Sequence, residues 1–138
     1  MRFVGTAPWT EETGGYEFSL SEDGTLVHLH EADVLKVHYQ QDRDELVLYF
    51  RYDKRFAEGL LRERPILTLS FRNCAILEWE NNFSLCDRSS GTADLSVELL
   101  DMYGMGTFIF ESVPVCIRLS ADEVEVAAMA SLPPEDSA

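Results

Sequence analysis

The stretch VHLHEADVLKVHYQ, residues 27–40, holds every histidine of the chain, His28, His30 and His38, with Glu31 and Asp33 among them. Imidazole nitrogens and carboxylates form the ligand sets of zinc and related divalent metals, and the same groups perform general acid–base chemistry. His28 and His30, two apart on an extended chain, would project to one side, a spacing that metal sites use. A metal site also needs three or four convergent ligands. Glu31 points the other way on a regular strand, and His38 lies beside Lys36, whose cation repels a metal. The extended chain from His30 to His38 spans about 26 Å at ~3.3 Å per residue. The expectation is no metal: three imidazoles held apart, with His30 hydrogen-bonded to backbone or a carboxylate where the chain enters a hairpin. A metal-dependent enzyme using the His28/His30 region stands as an alternative.

Nucleophilic chemistry has less to build on. There is no Gly-x-Ser-x-Gly elbow, and Cys74, Cys86 and Cys116 match neither a zinc ribbon nor a Cys-x-x-Cys pair. An odd, widely spaced set excludes a complete disulfide framework. Cys74 and Cys116 fall in apolar runs, where a thiol serves as a small hydrophobe. Gly14-Gly15 and Gly104-Met105-Gly106 are too short to cradle a phosphate and read as turns. Carboxylates abound, but abundance in an acidic chain is no evidence of an acid–base pair. The residues therefore point to no catalytic group and no cofactor. What they offer is contact chemistry: Trp9, in a polar loop, as an anchor for a partner, with His30, Glu31 and Asp33 as further partner-binding candidates.

The chain of 138 residues carries 11 Lys and Arg against 25 Asp and Glu, a formal charge of −14 with a pI near 4.4. Such a field repels phosphate backbones, which argues against nucleic acid; it favours a basic protein partner and also keeps the chain soluble. The acid is uneven. Residues 51–72 hold Arg51, Lys54, Arg55, Arg62, Arg64 and Arg72 against only Asp53, Glu58 and Glu63. This basic island is expected to pair with neighbouring carboxylates rather than to bind anions. The opening MRFVGTAPWTEETGG has no apolar leader core, and no run nears the roughly 18 apolar residues of a membrane span. No membrane association and a cytoplasmic location are expected.

Strands must position these groups, because the apolar period is two almost everywhere. DVLKVHYQ sets Leu35, Val37 and Tyr39 on one face, and ELVLYFRY answers with Leu46, Leu48, Phe50 and Tyr52. A turn centred on Asp42–Arg43 pairs Tyr39 with Leu46, Val37 with Leu48 and Leu35 with Phe50. ILTLSF and AILEWE share an odd-numbered apolar face through Ala75, Leu77 and Trp79, as one strand bulged at residues 72–74 or as two strands. LSVELLDMY and TFIFESV flank a glycine turn; VCIRLS, VEVAA and, near the start, YEFSL complete the set. Only residues 54–64, KRFAEGLLRER, read as helical. Gly59 limits that segment to a turn or two, and Pro65 stops it. The fold class is mainly β: an antiparallel sheet of seven to nine short strands in a sandwich or curled half-barrel, with one short helix near 54–64. Residues 1–130 form a single all-β domain and 131–138 a disordered acidic tail.

The run HEADVLKVHY, then a second strand, then LTLSFRNCAILEWE resembles small all-β bacterial proteins of the polymorphic-toxin immunity type. The matching positions are His30, Glu31, Ala32, Val34, Val37 and Tyr39, then Leu69 and Phe71, within residues 30–80. Glu31 stands where Asp is more usual in that group. The resemblance implies a binding protein without a cofactor, whose acidic surface occludes a basic toxin domain. The expected function is thus a non-enzymatic cytosolic binding protein, immunity-like, for a basic protein. A structural module that pairs through a sheet edge, as a homo-oligomer or with another chain, is the other alternative.

Overall fold

Alternation in residues 32–52 produces the hairpin around which the first sheet is arranged. Strands β4 (Ala32–Gln40) and β5 (Glu45–Tyr52) run antiparallel, joined by a 3-10 turn at Gln41–Arg43 that ends at Asp44 with φ 48°. Tyr39 pairs with Leu46 and Val37 with Leu48 as the pattern predicts, but Phe50 pairs with Val34 and not with Leu35. A bulge between Val34 and Lys36 takes up one residue and shifts the register. The structure, a computed structural model, describes residues 1–81, 97–103, 106–112 and 115–132. The expected tail falls almost entirely outside them, as do Cys86 and two residues of the Gly104–Gly106 turn.

Strand β6 (Ile66–Arg72) pairs with β5, β11 (Glu123–Met129) pairs with β6, and β1 (Arg2–Val4) lies parallel to β11. The first sheet therefore has the order β1-β11-β6-β5-β4. A second sheet orders β7 (Ala75–Asn81), β10 (Val115–Ser120), β9 (Thr107–Ser112) and β8 (Val97–Tyr103) as β7-β10-β9-β8. A two-stranded ribbon, β2 (Glu17–Ser19) and β3 (Leu26–His28), stands beside them. The inward rows Leu46–Phe71–Val124 and Leu48–Leu69–Val126 of the first sheet meet Leu119–Phe108 and Ile117–Phe110 of the second. Phe71 and Phe108 meet at 5.1 Å between ring centres, Phe50 and Phe110 at 5.9 Å, both edge to face. Among the described residues neither sheet closes on itself, so the architecture is an all-β sandwich.

Two strands cross between the sheets side by side. Arg72 ends β6 and Ala75 opens β7 in the other sheet, while Ser120 ends β10 and Glu123 opens β11. Asn73 makes the turn at φ 51°, the Cys74 N–H donates to Asp44 O at 2.7 Å, the Asp122 N–H donates to Arg72 O at 3.0 Å, and the Asn73 amide donates to the Asp122 carboxylate. Residues 66–81 are therefore two strands at a corner. The odd-numbered face does not persist past it. A register irregularity at Leu77 leaves that side chain 58 % exposed and turns Ile76 and Trp79 toward the core.

Trp9 corrects the expectation of a surface anchor. It is 5 % exposed and touches Phe3 of β1, Phe18 of β2, Phe71 of β6 and Phe108 of β9, with centroids 5.4–6.3 Å away. Gly15 fits behind it: a Cβ there would lie 2.6 Å from both the Trp9 ring and Leu100 Cδ2. The helical segment shrinks to one 3-10 turn, Gly59–Arg62, because Gly59 adopts φ +52° and breaks any longer helix. Strands β1 and β3, three residues each, are too short to show alternation and add to the nine runs legible in the sequence.

Phe50→Ala and Trp9→Ala should each destabilise the fold by about 3–5 kcal/mol, the range for deleting a buried aromatic. His38→Ala, on the outer face of β4, should cost under ~0.5 kcal/mol. Urea unfolding of the three variants checks this; equal costs at positions 38 and 50 would mean the faces of the hairpin are inverted.

Candidate functional site

The three histidines occupy three different settings. His28 ends β3 with its Nδ1 3.9 Å from a Glu17 carboxylate oxygen. His30 lies in a 3-10 turn, Leu29–Glu31, so the two imidazoles are not neighbours on one strand as the spacing suggested. That turn leads directly into β4, where His30 was expected, but its ring contact is with Tyr16, 6.1 Å away at 33°. His38 projects from the outer face of β4 opposite Val47. Among the described residues no three His, Cys, Asp or Glu side chains are grouped to hold a metal ion. Burial pushes the Cys74 thiol up to about 12. Asp33 lies exposed on β4 across from Arg51.

Among the described residues, Glu31 is a partner-binding candidate that lines a cavity. A cleft of about 330 Å³ opens between β3, the 3-10 turn and the end of β5. Leu26 and His28 form one wall, Glu31 and Tyr52 another, and Arg55 to Glu58 with Arg62 the third. Tyr52 is 2 % exposed, and its hydroxyl accepts the His28 backbone N–H at 3.2 Å. Burial raises the phenol above its ordinary range, and the negative charges of Glu31 and Glu58 raise it further. Leu26 and Phe56 leave 45 % and 48 % of their surface exposed, which gives the cleft an apolar rim.

The third wall is held by carboxylate clamps. The Asp53 N–H donates to Glu31 O at 2.9 Å, and the Asp53 carboxylate accepts the Arg55 backbone N–H at 2.9 Å and its guanidinium at 2.7 Å. These bonds hold Asp53 below the usual carboxylate range. Asp23 does the same for the next turn: it accepts the Thr25 hydroxyl at 2.5 Å, the Thr25 N–H at 2.9 Å and the Leu60 N–H at 3.1 Å. The Thr25 hydroxyl bond, first among these, lowers Asp23 as well. Gly59 must stay bare here, since a Cβ would fall 2.3 Å from Thr25 Oγ1. Three of the six cations of the basic island pair with carboxylates as its sequence suggests: Arg55 with Asp53, Arg64 with Glu22 at 3.3 Å, and Arg72 with three glutamates.

The two sheet faces treat their acid differently. On the first, Arg72 reaches Glu45 at 3.1 Å, Glu123 at 2.8 Å and Glu125 at 2.6 Å, and Arg2 adds a bond to Glu123 at 3.3 Å. On the second, the register sets Glu80, Cys116 and Glu111 in one outward row and Glu78, Arg118, Ile109 and Asp101 in the next. Burial raises the Cys116 thiol, and the charges of Glu111, Glu80 and Glu78 around it act in the same direction. Among the described residues this face carries four carboxylates against one guanidinium, with Leu77 and Tyr103 exposed at its sides. The residues were visible in the sequence; their gathering on one face depends on strand order, which was not.

Acidification should loosen the Gly59–Arg62 turn. The pKa of Asp23 is lower folded than unfolded, so its clamp is complete above about pH 4, near the unfolded value, and is lost as pH falls toward the folded one. The stability gap between the wild type and Asp23→Ala should be full at pH 6 and shrink below about pH 4. Urea midpoints across that range, with amide exchange at Leu60, measure it; a gap independent of pH would show that the ionised carboxylate is not the clamp.

No family model, curated protein or solved structure matches this chain, so the cleft and the acidic face are defined by their own chemistry.

Proposed function

We propose that the protein is a non-enzymatic binding protein that docks a basic protein domain, in the manner of the cytoplasmic immunity proteins that its residues 30–80 resemble. The observation that carries this reading is the outward face of β7–β10–β9–β8, where Glu78, Glu80, Asp101 and Glu111 stand against Arg118 among the described residues. A chain of net charge −14 that compensates one sheet face with Arg72 and leaves the other acidic has a directed field. Such a field draws a basic surface toward one side of the molecule and raises the rate of encounter.

Edge pairing has less support. Strand β4 carries a bulge and Lys36, β7 carries the Leu77 irregularity and two exposed glutamates, and β1 is three residues long. These features discourage strand addition. At β8, the Gly15 N–H already donates to Leu100 O at 2.9 Å.

Two measurements test the proposal. The neighbouring genes should include a secreted toxin domain of basic composition, and titration of the chain against that domain should give a 1:1 complex. Its affinity should fall at least about ten-fold between roughly 50 and 200 mM salt, as charge-steered binding does. The triple change Glu78→Lys, Glu80→Lys and Glu111→Lys should slow association about ten-fold or more with an unchanged circular dichroism spectrum. Absence of binding, or affinity insensitive to salt and to these changes, overturns it.

A further inference from the structure

We infer that the cleft beside Glu31 is a receptor for a single lysine or arginine side chain presented by the protein partner. The inference rests on the reading of a basic partner and names the point of close contact. The cleft, about 330 Å³, lies at the small end of ligand sites, which run from about 300 to 1,000 Å³. That is room enough for one long side chain.

The chemistry of the walls selects the type. Among the described residues neither the Glu31 nor the Glu58 carboxylate has a hydrogen-bond or ion-pair partner, although both charges act on the Tyr52 hydroxyl. The neighbouring cations are occupied differently. Arg55 is bound twice over to Asp53 and feels the Glu31 charge only at longer range, and Arg62 donates its Nε to Ala57 O at 3.3 Å. Two unpaired carboxylates, Glu31 half-buried and Glu58 exposed, thus line the cleft together with the buried Tyr52, while Leu26 and Phe56 add half-exposed apolar surface to it. This polarity matches an amphipathic cation. The aliphatic stem lies along Leu26 and Phe56, and the charged head reaches Glu31, Glu58 and the Tyr52 oxygen. Phe56 already carries one guanidinium, from Arg55, 5.4 Å from its ring centre, so the ring's other face is the one a stem would use.

The division of labour between the two acidic surfaces follows. The open face of the second sheet acts at long range on the rate of encounter, whereas the cleft acts at contact on the rate of release. Each has its own kinetic signature, which makes them separable.

The experiment titrates the labelled whole chain, by amide and side-chain NMR, with the capped tripeptides Ac-Gly-Lys-Gly-NH2 and Ac-Gly-Arg-Gly-NH2. Norleucine and glutamate versions serve as controls. Saturable millimolar binding by the lysine or arginine peptide, with shifts centred on Tyr52, Phe56 and Glu31, is the expected result. The double change Glu31→Gln and Glu58→Gln should weaken it at least five-fold while leaving the remaining spectrum in place. The triple change on the second sheet should not affect it. No saturable shift, equal binding of the norleucine peptide, or tighter binding of the glutamate peptide overturns the inference; the last would make the cleft an anion site built on Arg62. If the peptides bind and no basic domain does, the cleft survives and the wider function falls. If a basic domain binds with a release rate indifferent to Glu31→Gln and Glu58→Gln, only the cleft falls.

Discussion

The fold depends on where Trp9 sits. Its indole is wedged among rings from β1, β2, β6 and β9, which belong to all three sheets. Two packed sheets need a plug at each open end, and here a loop residue supplies one. The bare Gly15 lets the following backbone pass close behind the ring and bond to Leu100. The same contact docks the β2–β3 ribbon, through Phe18, against the sandwich. Leu26 and His28, which make one wall of the cleft, are carried on that ribbon. The position of one wall of the candidate site is thus tied, through the middle of the ribbon, to a core aromatic that does not line the site.

Electrostatics divides the molecule in a second way. A guanidinium on β6 that meets three carboxylates on two neighbouring strands turns like-charge repulsion into cross-links between β5, β6 and β11. Because Arg72 is 41 % exposed, each bond is worth little against screening water, and their joint value lies in holding the corner where the chain leaves the first sheet. No equivalent cation balances the second sheet's outer face among the described residues. Acid therefore has two uses here: local cross-linking where arginine is interleaved, and a directed surface field where it is not.

Most of the architecture is legible from period and turn chemistry. The two central pairs of the β4–β5 hairpin, Tyr39 with Leu46 and Val37 with Leu48, follow from apolar alternation alone. Departures come where a bulge changes the count. Leu35 and Leu77 have the composition of core residues, and only the partner strand's hydrogen bonding decides that one residue there must be skipped. Trp9 misleads for a different reason: its surroundings are polar in sequence, while its four aromatic neighbours come from residues 3 to 108. The cleft was half visible. Glu31 stood out by its company of histidines, but Tyr52 and Glu58 join it only through the return of β5 and the turn after it. Phe56 gave a usable signal: an apolar residue in a segment too short to form a burying helix has nowhere to hide.

The paired crossing of strands at the corner has a consequence for how this chain comes to be made. Strand β10 is an interior strand of one sheet and β11 of the other, yet both are synthesised after every strand they bond to. Until residues 115–129 have left the ribosome, β6 and β7 each expose a full unpaired edge, and neither sheet can close its core. Contacts such as Arg72 with Glu123, 51 residues apart, then form late and across a long loop, the slow class of event in β folding. The nascent protein is therefore open to edge-to-edge association with its own kind during that interval, and its strongly negative charge, shared by every copy, keeps such chains apart while they wait.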